Sequence, residues 1–206
     1  MPNILDKIFL DKKVELVTVK RKLSVQDVKT KIANNVFKIR DIKKLLQSSA
    51  GSSIIAEVKL RTPFKGDLLK NADPINIAKT YADNGAVALS ILTESTHFGG
   101  SLEILEKARR HVDIPLLRKD FIFDDYQVYE AKAFGADFFL LIATRLDKNH
   151  LADLLLLGDE LGLPALVETH NEKDMEKAVE AGASILGINN RDLTSGKTYL
   201  DISRRL

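Results

Sequence analysis

The chain carries two kinds of hydrophobic pattern. Up to residue 48, charged and apolar positions interleave at a helical period, with Leu5, Ile8 and Phe9, then Val25, Val28 and Ile32, then Ile39, Ile42, Leu45 and Leu46. That spacing predicts two or three helices. A polar linker, Ser48 to Ser53, follows, and from there apolar runs alternate with helical stretches. The stretch Ile54 to Asp67 opens as an apolar run and ends in charge before breaking at Pro63 and Gly66. Further runs span 86–92, 114–118, 137–142, 164–168 and 184–188. Between them, helices are expected from Pro74 to Asn84, Ser101 to about His111, Asp124 to Phe134, Asp147 to Leu161 and Asn171 to Ala181. Pro74 suits a first helical position, and Ser101 suits a cap.

A weak repeat supports this reading. Asn84-Gly85-Ala86, Phe134-Gly135-Ala136 and Ala181-Gly182-Ala183 each end a helix and open a strand, the glycines lying 50 and 47 residues apart. Glycine supplies the left-handed cap there. Six nearly continuous apolar strands alternating with helices predict a parallel sheet covered by helices. A doubly wound nucleotide binder needs a glycine-rich first turn. The first loop, Leu60 to Asp67, has one glycine. Polar residues instead recur at the strands' C-terminal ends: Glu57 and Lys59, Thr93 and Glu94, Lys119 and Asp120, Glu168, Asn189 and Arg191. In a barrel those ends share one mouth, which favours a (β/α)8 barrel with an N-terminal helical extension, residues 1–48, followed by residues 49–206 of the barrel.

Composition narrows the options. The 206 residues, 45% of them hydrophobic, suffice for a substantial core, and 31 basic against 29 acidic residues leave no field that draws nucleic acid or a membrane. Lys12-Lys13 and Lys20-Arg21-Lys22 read as the solvated face of a helix. With no cysteine, disulfides, thiolate zinc sites and thiol nucleophiles are excluded. No long apolar segment suggests secretion or membrane spanning, so a cytoplasmic location is expected.

The strand ends carry the candidate chemistry. Glu57 and Lys59 are two apart and point to one side of a strand, either as a structural ion pair or as part of a site. Lys119 leaves an apolar strand where the mouth begins and could serve as a general acid, or simply snorkel out of the rim. Glu168 is a candidate base or ion-pair partner. Asn189 can orient a hydroxyl or an oxyanion, and Arg191 can grip a carboxylate. Together they suit an anionic substrate undergoing proton transfers. His97, His111, His150 and His170 lack metal-ligand spacing and read as surface or rim residues. Phe98-Gly99-Gly100-Ser101 reads equally as a phosphate-cradling helix start, a lid, or a plain turn and cap. Phe98 either stacks on an aromatic substrate or covers core.

These motifs resemble one family. Ala56-Glu57-Val58-Lys59, Thr62-Pro63, Gly66, Leu92-Thr93-Glu94, Phe98-Gly99-Gly100-Ser101-Leu102, Leu117-Arg118-Lys119-Asp120-Phe121-Ile122, Val167-Glu168 and Gly187-Ile188-Asn189-Asn190-Arg191-Asp192-Leu193 are similar, in order, to indole-3-glycerol-phosphate synthases. The resemblance implies a carboxy-lyase of tryptophan biosynthesis. It would close the indole ring of 1-(2-carboxyphenylamino)-1-deoxyribulose 5-phosphate, releasing carbon dioxide and water, with no cofactor and no metal. By resemblance, Lys119 is the general acid, Glu168 the base of the dehydration and Lys59 a substrate-binding and second acid residue held by Glu57. Asn189 orients the reacting hydroxyl, Arg191 binds the anthranilate carboxylate, Phe98 lines the aromatic pocket, and Thr62 and Pro63 contact substrate.

The chain also departs from the family. Thr62-Pro63-Phe64 stands where the family has Ser-Pro-Ser, and Tyr199 to Leu206 reads as a sixth helix cut short. Strands seven and eight, with the Glu-Ser-Gly and Gly-Ser loops that hold the substrate phosphate, are not expected within these residues. The expectation is a barrel truncated to about six βα units, with weak turnover. Its open edges would favour self-association, and a non-catalytic scaffold completed by a partner chain is the competing reading. A third, another phosphate-handling barrel such as an isomerase, has no need of this lysine and glutamate set.

Overall fold

The computed structural model describes residues 4–35, 37–48, 51–68, 72–191 and 197–206. Three helices come first: α1 (Ile4–Lys22), α2 (Val25–Asn34) and α3 (Ile42–Ser48). Ser24 and Asp27 form a capping box that starts α2, satisfying two N–H groups that the first turn leaves without partners. The main body follows as β1 (Ile55–Val58), a small hairpin of β2 (Arg61–Thr62) and β3 (Gly66–Asp67), α4 (Pro74–Asp83), β4 (Ala88–Leu92), α5 (Leu102–Arg109), β5 (Leu116–Lys119) and α6 (Asp125–Ala133). Then come β6 (Phe138–Ile142), a 3-10 turn (Ala143–Arg145), α7 (Lys148–Glu160), β7 (Ala165–Thr169), α8 (Glu172–Glu180), β8 (Ile185–Ile188) and the short α9 (Ile202–Arg205). The hairpin and the 3-10 turn lie where the periodicity predicts only loops.

The side chains of Asp73, Ser101, Asp124, Asp147 and Asn171 each accept a backbone N–H at the start of α4 to α8 in turn. Each such cap stabilises its helix by about 1 kcal/mol. At the other ends Gly85, Gly135 and Gly182 have φ of 90°, 84° and 92°, the left-handed region that the repeat predicts.

Six parallel strands form one sheet in the order β1-β4-β5-β6-β7-β8, curled into an arc of a barrel. Alternation along the strands divides the core in two. Phe139, Leu141, Ile91, Leu116 and Val167 face outward into a cluster with the helices. Ala88, Leu117, Phe138, Leu140 and Ile142 face inward, where they meet Leu5 and Phe9 of α1. Thus α1 packs against the inner face of the sheet. At the strands' N-terminal end, the fully buried Asp137 accepts from Arg109 Nη1 at 2.8 Å, from the Leu116 N–H at 2.9 Å and from the Arg40 N–H at 2.7 Å. Burial pushes the Asp137 carboxyl up, against the pull of those donors. The opposite, C-terminal end is left for the site.

Candidate active site

Strand register sets the layers of the inner face. Glu57 pairs with Ser90, Leu92 with Lys119, and Ile142 with Glu168. Glu57, Lys119 and Glu168 therefore emerge on the inner side of three strands, above the apolar floor of Leu140 and Ile142. Lys119 Nζ lies 3.8 Å from Glu57 Oε2 and 3.6 Å from Glu168 Oε2. Glu57 also pairs closely with Lys59 Nζ, and Asn189 Nδ2 donates to Glu168 Oε1 at 2.9 Å. Asn189 Oδ1 in turn accepts the Arg191 N–H at 2.9 Å, which fixes the amide's orientation. The result is a chain of alternating charge, Lys59–Glu57–Lys119–Glu168, in which each ion is compensated yet part-exposed.

All nine residues singled out from the sequence, Glu57, Lys59, Thr62, Pro63, Phe98, Lys119, Glu168, Asn189 and Arg191, line one cavity of about 270 Å³. Its remaining walls include Ile4, Leu5 and Ile8 of α1, Phe64, and Phe121. Phe98 lines the cavity and also packs on Phe121, their ring centroids 6.0 Å apart, so it belongs to site and core alike. Nothing in the pattern of α1 says which part of the barrel its apolar stripe will meet, so the sequence does not mark it as a wall. Phe121 sits inside the Lys119-Asp120-Phe121 motif, and its position directly after the strand is the signal for it. Asp192 and Leu193, like Ser49 and Ala50 of the linker, lie outside the described residues.

One expectation changes and two open readings narrow. First, Lys12 is not solvated; it is 5% exposed and reaches Asp120 Oδ1 at 3.1 Å and Glu15 Oε2 at 3.0 Å. Lys13, Lys20, Arg21 and Lys22 are exposed, as the helical face predicts. Second, Thr93, Arg118 and Asp120, close to Lys119, are bound into a buried network, with Asp120 also at the cavity wall. Thr93 Oγ1 donates to Asp120 Oδ2 at 2.6 Å, and Arg118 Nη2 bridges Asp120 at 3.1 Å and Glu130 at 3.2 Å. Burial alone would raise the Asp120 carboxyl, but Lys12 and Arg118 outweigh it and hold it at about 2. Burial likewise works against the Lys12 ammonium, and Asp120 and Glu15 overcome it, so its pKa is raised. Glu130 is pushed up, chiefly by burial.

Third, the amides from Thr96 to Gly100 in the loop after β4 are bonded within the loop itself. Glu94 accepts the N–H groups of Thr96, His97 and Phe98 at 3.1, 2.7 and 2.9 Å. Ser101 caps α5 through the Ile104 N–H at 3.2 Å. Gly100 is required for close approach, since a Cβ there would sit 2.2 Å from the Leu92 carbonyl oxygen. The turn-and-cap reading is the one the geometry supports.

Two histidines are more engaged than a surface reading allows. His97 Nε2 meets Asp11 Oδ2 of α1 at 2.8 Å, and His170 Nε2 lies 3.5 Å from Glu168 Oε1. The rule that paired Glu57 with Lys59 also pairs Glu168 with His170, two residues on, and so could have found it. Among the described residues there is no group of three or more histidine, aspartate or glutamate side chains placed to hold a metal ion. Nor, among them, is any helix long and apolar enough to cross a membrane.

A curled parallel sheet with helices outside and charged residues at the C-terminal strand ends defines a barrel-type α/β protein with its site at the mouth. A solved dihydropteroate synthase from Coxiella burnetii shares the fold, with a TM-score of 0.52 at 17% identity, covering 72% of this chain and 64% of that one. The family model for indole-3-glycerol phosphate synthase matches residues 5–206. A Roseiflexus sp. (strain RS-1) protein named indole-3-glycerol phosphate synthase is 46% identical over 212 residues, spanning 100% of this chain and 78% of the relative. A Campylobacter jejuni (strain 81-176) protein of the same name is 49% identical over 204 residues, spanning 98% of this chain and 79% of the relative. The chain belongs to the indole-3-glycerol phosphate synthase family.

Proposed function

We propose that this chain acts as an indole-3-glycerol-phosphate synthase, a carboxy-lyase of tryptophan biosynthesis working in the cytoplasm on 1-(2-carboxyphenylamino)-1-deoxyribulose 5-phosphate. The observation that carries the reading is Lys119, held between Glu57 and Glu168 over an apolar floor in a cavity shared by every residue the motif predicts. An ammonium flanked by two carboxylates is positioned without being neutralised by a single tight partner, which leaves a proton to donate.

In the first half of the reaction the aryl carbon that bears the carboxylate attacks the ribulose carbonyl carbon. Lys119 gives its proton to the carbonyl oxygen, which becomes a hydroxyl. Carbon dioxide then leaves, and its bonding electrons return to the ring. In the second half Glu168 takes a proton from the closed ring system while the hydroxyl departs as water, protonated by an ammonium. Lys59 is the candidate for that second acid. Asn189 bonds Glu168 and faces the same space, so it can orient the departing hydroxyl. Arg191 offers a guanidinium to the anthranilate carboxylate, and Phe98 and Pro63 supply apolar walls for the aromatic ring.

Substrate turnover, followed by indole absorbance and by carbon dioxide release, tests this. Lys119→Ala and Glu168→Gln are each expected to lower kcat at least ~100-fold with the fold unchanged by circular dichroism. Turnover that survives Lys119→Ala at full rate would remove Lys119 from the chemistry.

The substrate class is phosphorylated and aromatic, and no nucleic-acid partner is proposed. A specific observation also favours self-association. Within the described residues β1 and β8 each pair on one side only, and Ile54 and Leu186 beside those edges are exposed. Unpaired strand edges recruit other strands.

A further inference from the structure

His170 follows β7 and stands two residues after Glu168, so the two side chains leave the chain on the same side. Its Nε2 is buried, makes no hydrogen bond and lies 3.5 Å from Glu168 Oε1. Its Nδ1 lies 3.2 Å from Thr144 Oγ1, and that hydroxyl donates to Asp174 Oδ2 at 2.8 Å. A hydroxyl has one proton to give. Thr144 spends its proton on Asp174, so towards His170 it can only accept, and Nδ1 must carry hydrogen. A neutral ring would then turn the bare lone pair of Nε2 towards a carboxylate oxygen, two acceptors facing each other away from water. One proton in that gap turns the repulsion into a charge-assisted contact.

We propose that His170 is a positioning residue for Glu168, with a single proton shared between Nε2 and Oε1 and resting on the imidazole. The contact holds the carboxylate against Asn189 on one oxygen and opposite Lys119 on the other, the pose that a base in the mouth requires. The charged groups around the ring are few. Glu168 faces it from β7, with Lys119 beyond. Asp174 faces it from α8, through Thr144, with Lys177 Nζ 3.7 Å behind that carboxylate. Arg145 neighbours Thr144 on the 3-10 turn and pairs with Asp6 of α1 at 2.6 Å. The catalytic meaning of the contact rests on the proposed function, while the shared proton does not.

Nitrogen-15 labelling of histidine in the full chain at neutral pH tests the proton, with His170→Asn to assign the signal. Both ring nitrogens of His170 are expected to be protonated. In Glu168→Gln, Nε2 is expected to lose its proton and Nδ1 to keep it. A bare Nε2 in the unaltered chain, hydrogen on Nε2 with a bare Nδ1, or spectra unmoved by Glu168→Gln would overturn the proposal.

Kinetics test the positioning. Asparagine places a donor where Nδ1 was and leaves Glu168 unsupported, whereas glutamine reaches the place of Nε2. His170→Asn is expected to lower kcat roughly 10- to 100-fold with KM little changed, and His170→Gln to restore most of the rate. Equal rates for His170→Asn and the unaltered chain, or no rescue by glutamine, would count against it. If the unaltered chain turns over no substrate, the proposed function fails and the nitrogen spectra still decide the proton.

Discussion

Asp120 sits beside Lys119 in the sequence and at the cavity wall, and its carboxylate ties α1 to β5. Fully buried, it takes charge from Lys12 and Arg118 and a proton donor from Thr93. Its folded pKa of about 2 lies below the 3.8 of an unperturbed aspartate. The stability this contributes is therefore present above about pH 4 and lost as pH falls towards 2, an effect of about 2 kcal/mol. Asp120→Asn strands two buried cations, and a cost of about 3–5 kcal/mol is expected near pH 7. That cost should shrink near pH 3, where the aspartate of the unfolded chain has taken up its proton while the native one has not. Glu130, raised chiefly by burial, has the opposite sign, and because Asp120 is among the charges that raise it, part of its shift is lost in Asp120→Asn. Urea unfolding of the two chains at both pH values is the check, and a pH-independent difference would contradict the assignment.

At the scale of elements, α1 is the piece that turns an open sheet into a walled site. Leu5 and Phe9 enter the inner cluster with Leu117, Phe138 and Leu140, while Ile4, Leu5 and Ile8 line the cavity. The Phe9 ring meets Phe121 edge-on at 5.4 Å and lies beneath the Arg145 guanidinium at 5.5 Å. Phe9→Ala is expected to cost about 3 kcal/mol in the urea transition. It should also raise KM, because the cavity wall loses its anchor. A variant destabilised to that extent with KM unchanged would show that α1 serves the fold alone. Polar ties along the same helix, Asp6 to Arg145, Asp11 to His97, Lys12 to Asp120 and Lys20 to Asp124, fix its register on the barrel.

The described residues form an arc of six parallel strands, and a barrel of this class closes with eight. The relatives match over 78% and 79% of their lengths. Ile54, just before β1, and Leu186, within β8, are exposed apolar residues beside those two edges. Concentration-dependent association is expected by light scattering, and a Lys substituted for Leu186 is expected to reduce it, since charge on an edge opposes pairing. A monomer at every concentration would mean that the edges are protected in another way.

The local pattern by itself determined the six strands of the main sheet, the helices that alternate with them and the glycine caps, because periods of two and 3.6 residues and the left-handed conformation of Gly85, Gly135 and Gly182 are properties of short segments. It also named the mouth, since the strand ends of a parallel sheet all face one way and Glu57, Lys119, Glu168 and Asn189 each lie at or next to the C-terminal end of a strand. Tertiary structure decided which charges meet. Lys12 lies 108 positions from Asp120 in the sequence, and only the packing of α1 on the inner face makes that pair and buries it. Thr144 and Asp174 likewise reach His170 only because a 3-10 turn and α8 converge beside β7, and it is their donor count, rather than any motif, that gives the imidazole its place beside Glu168.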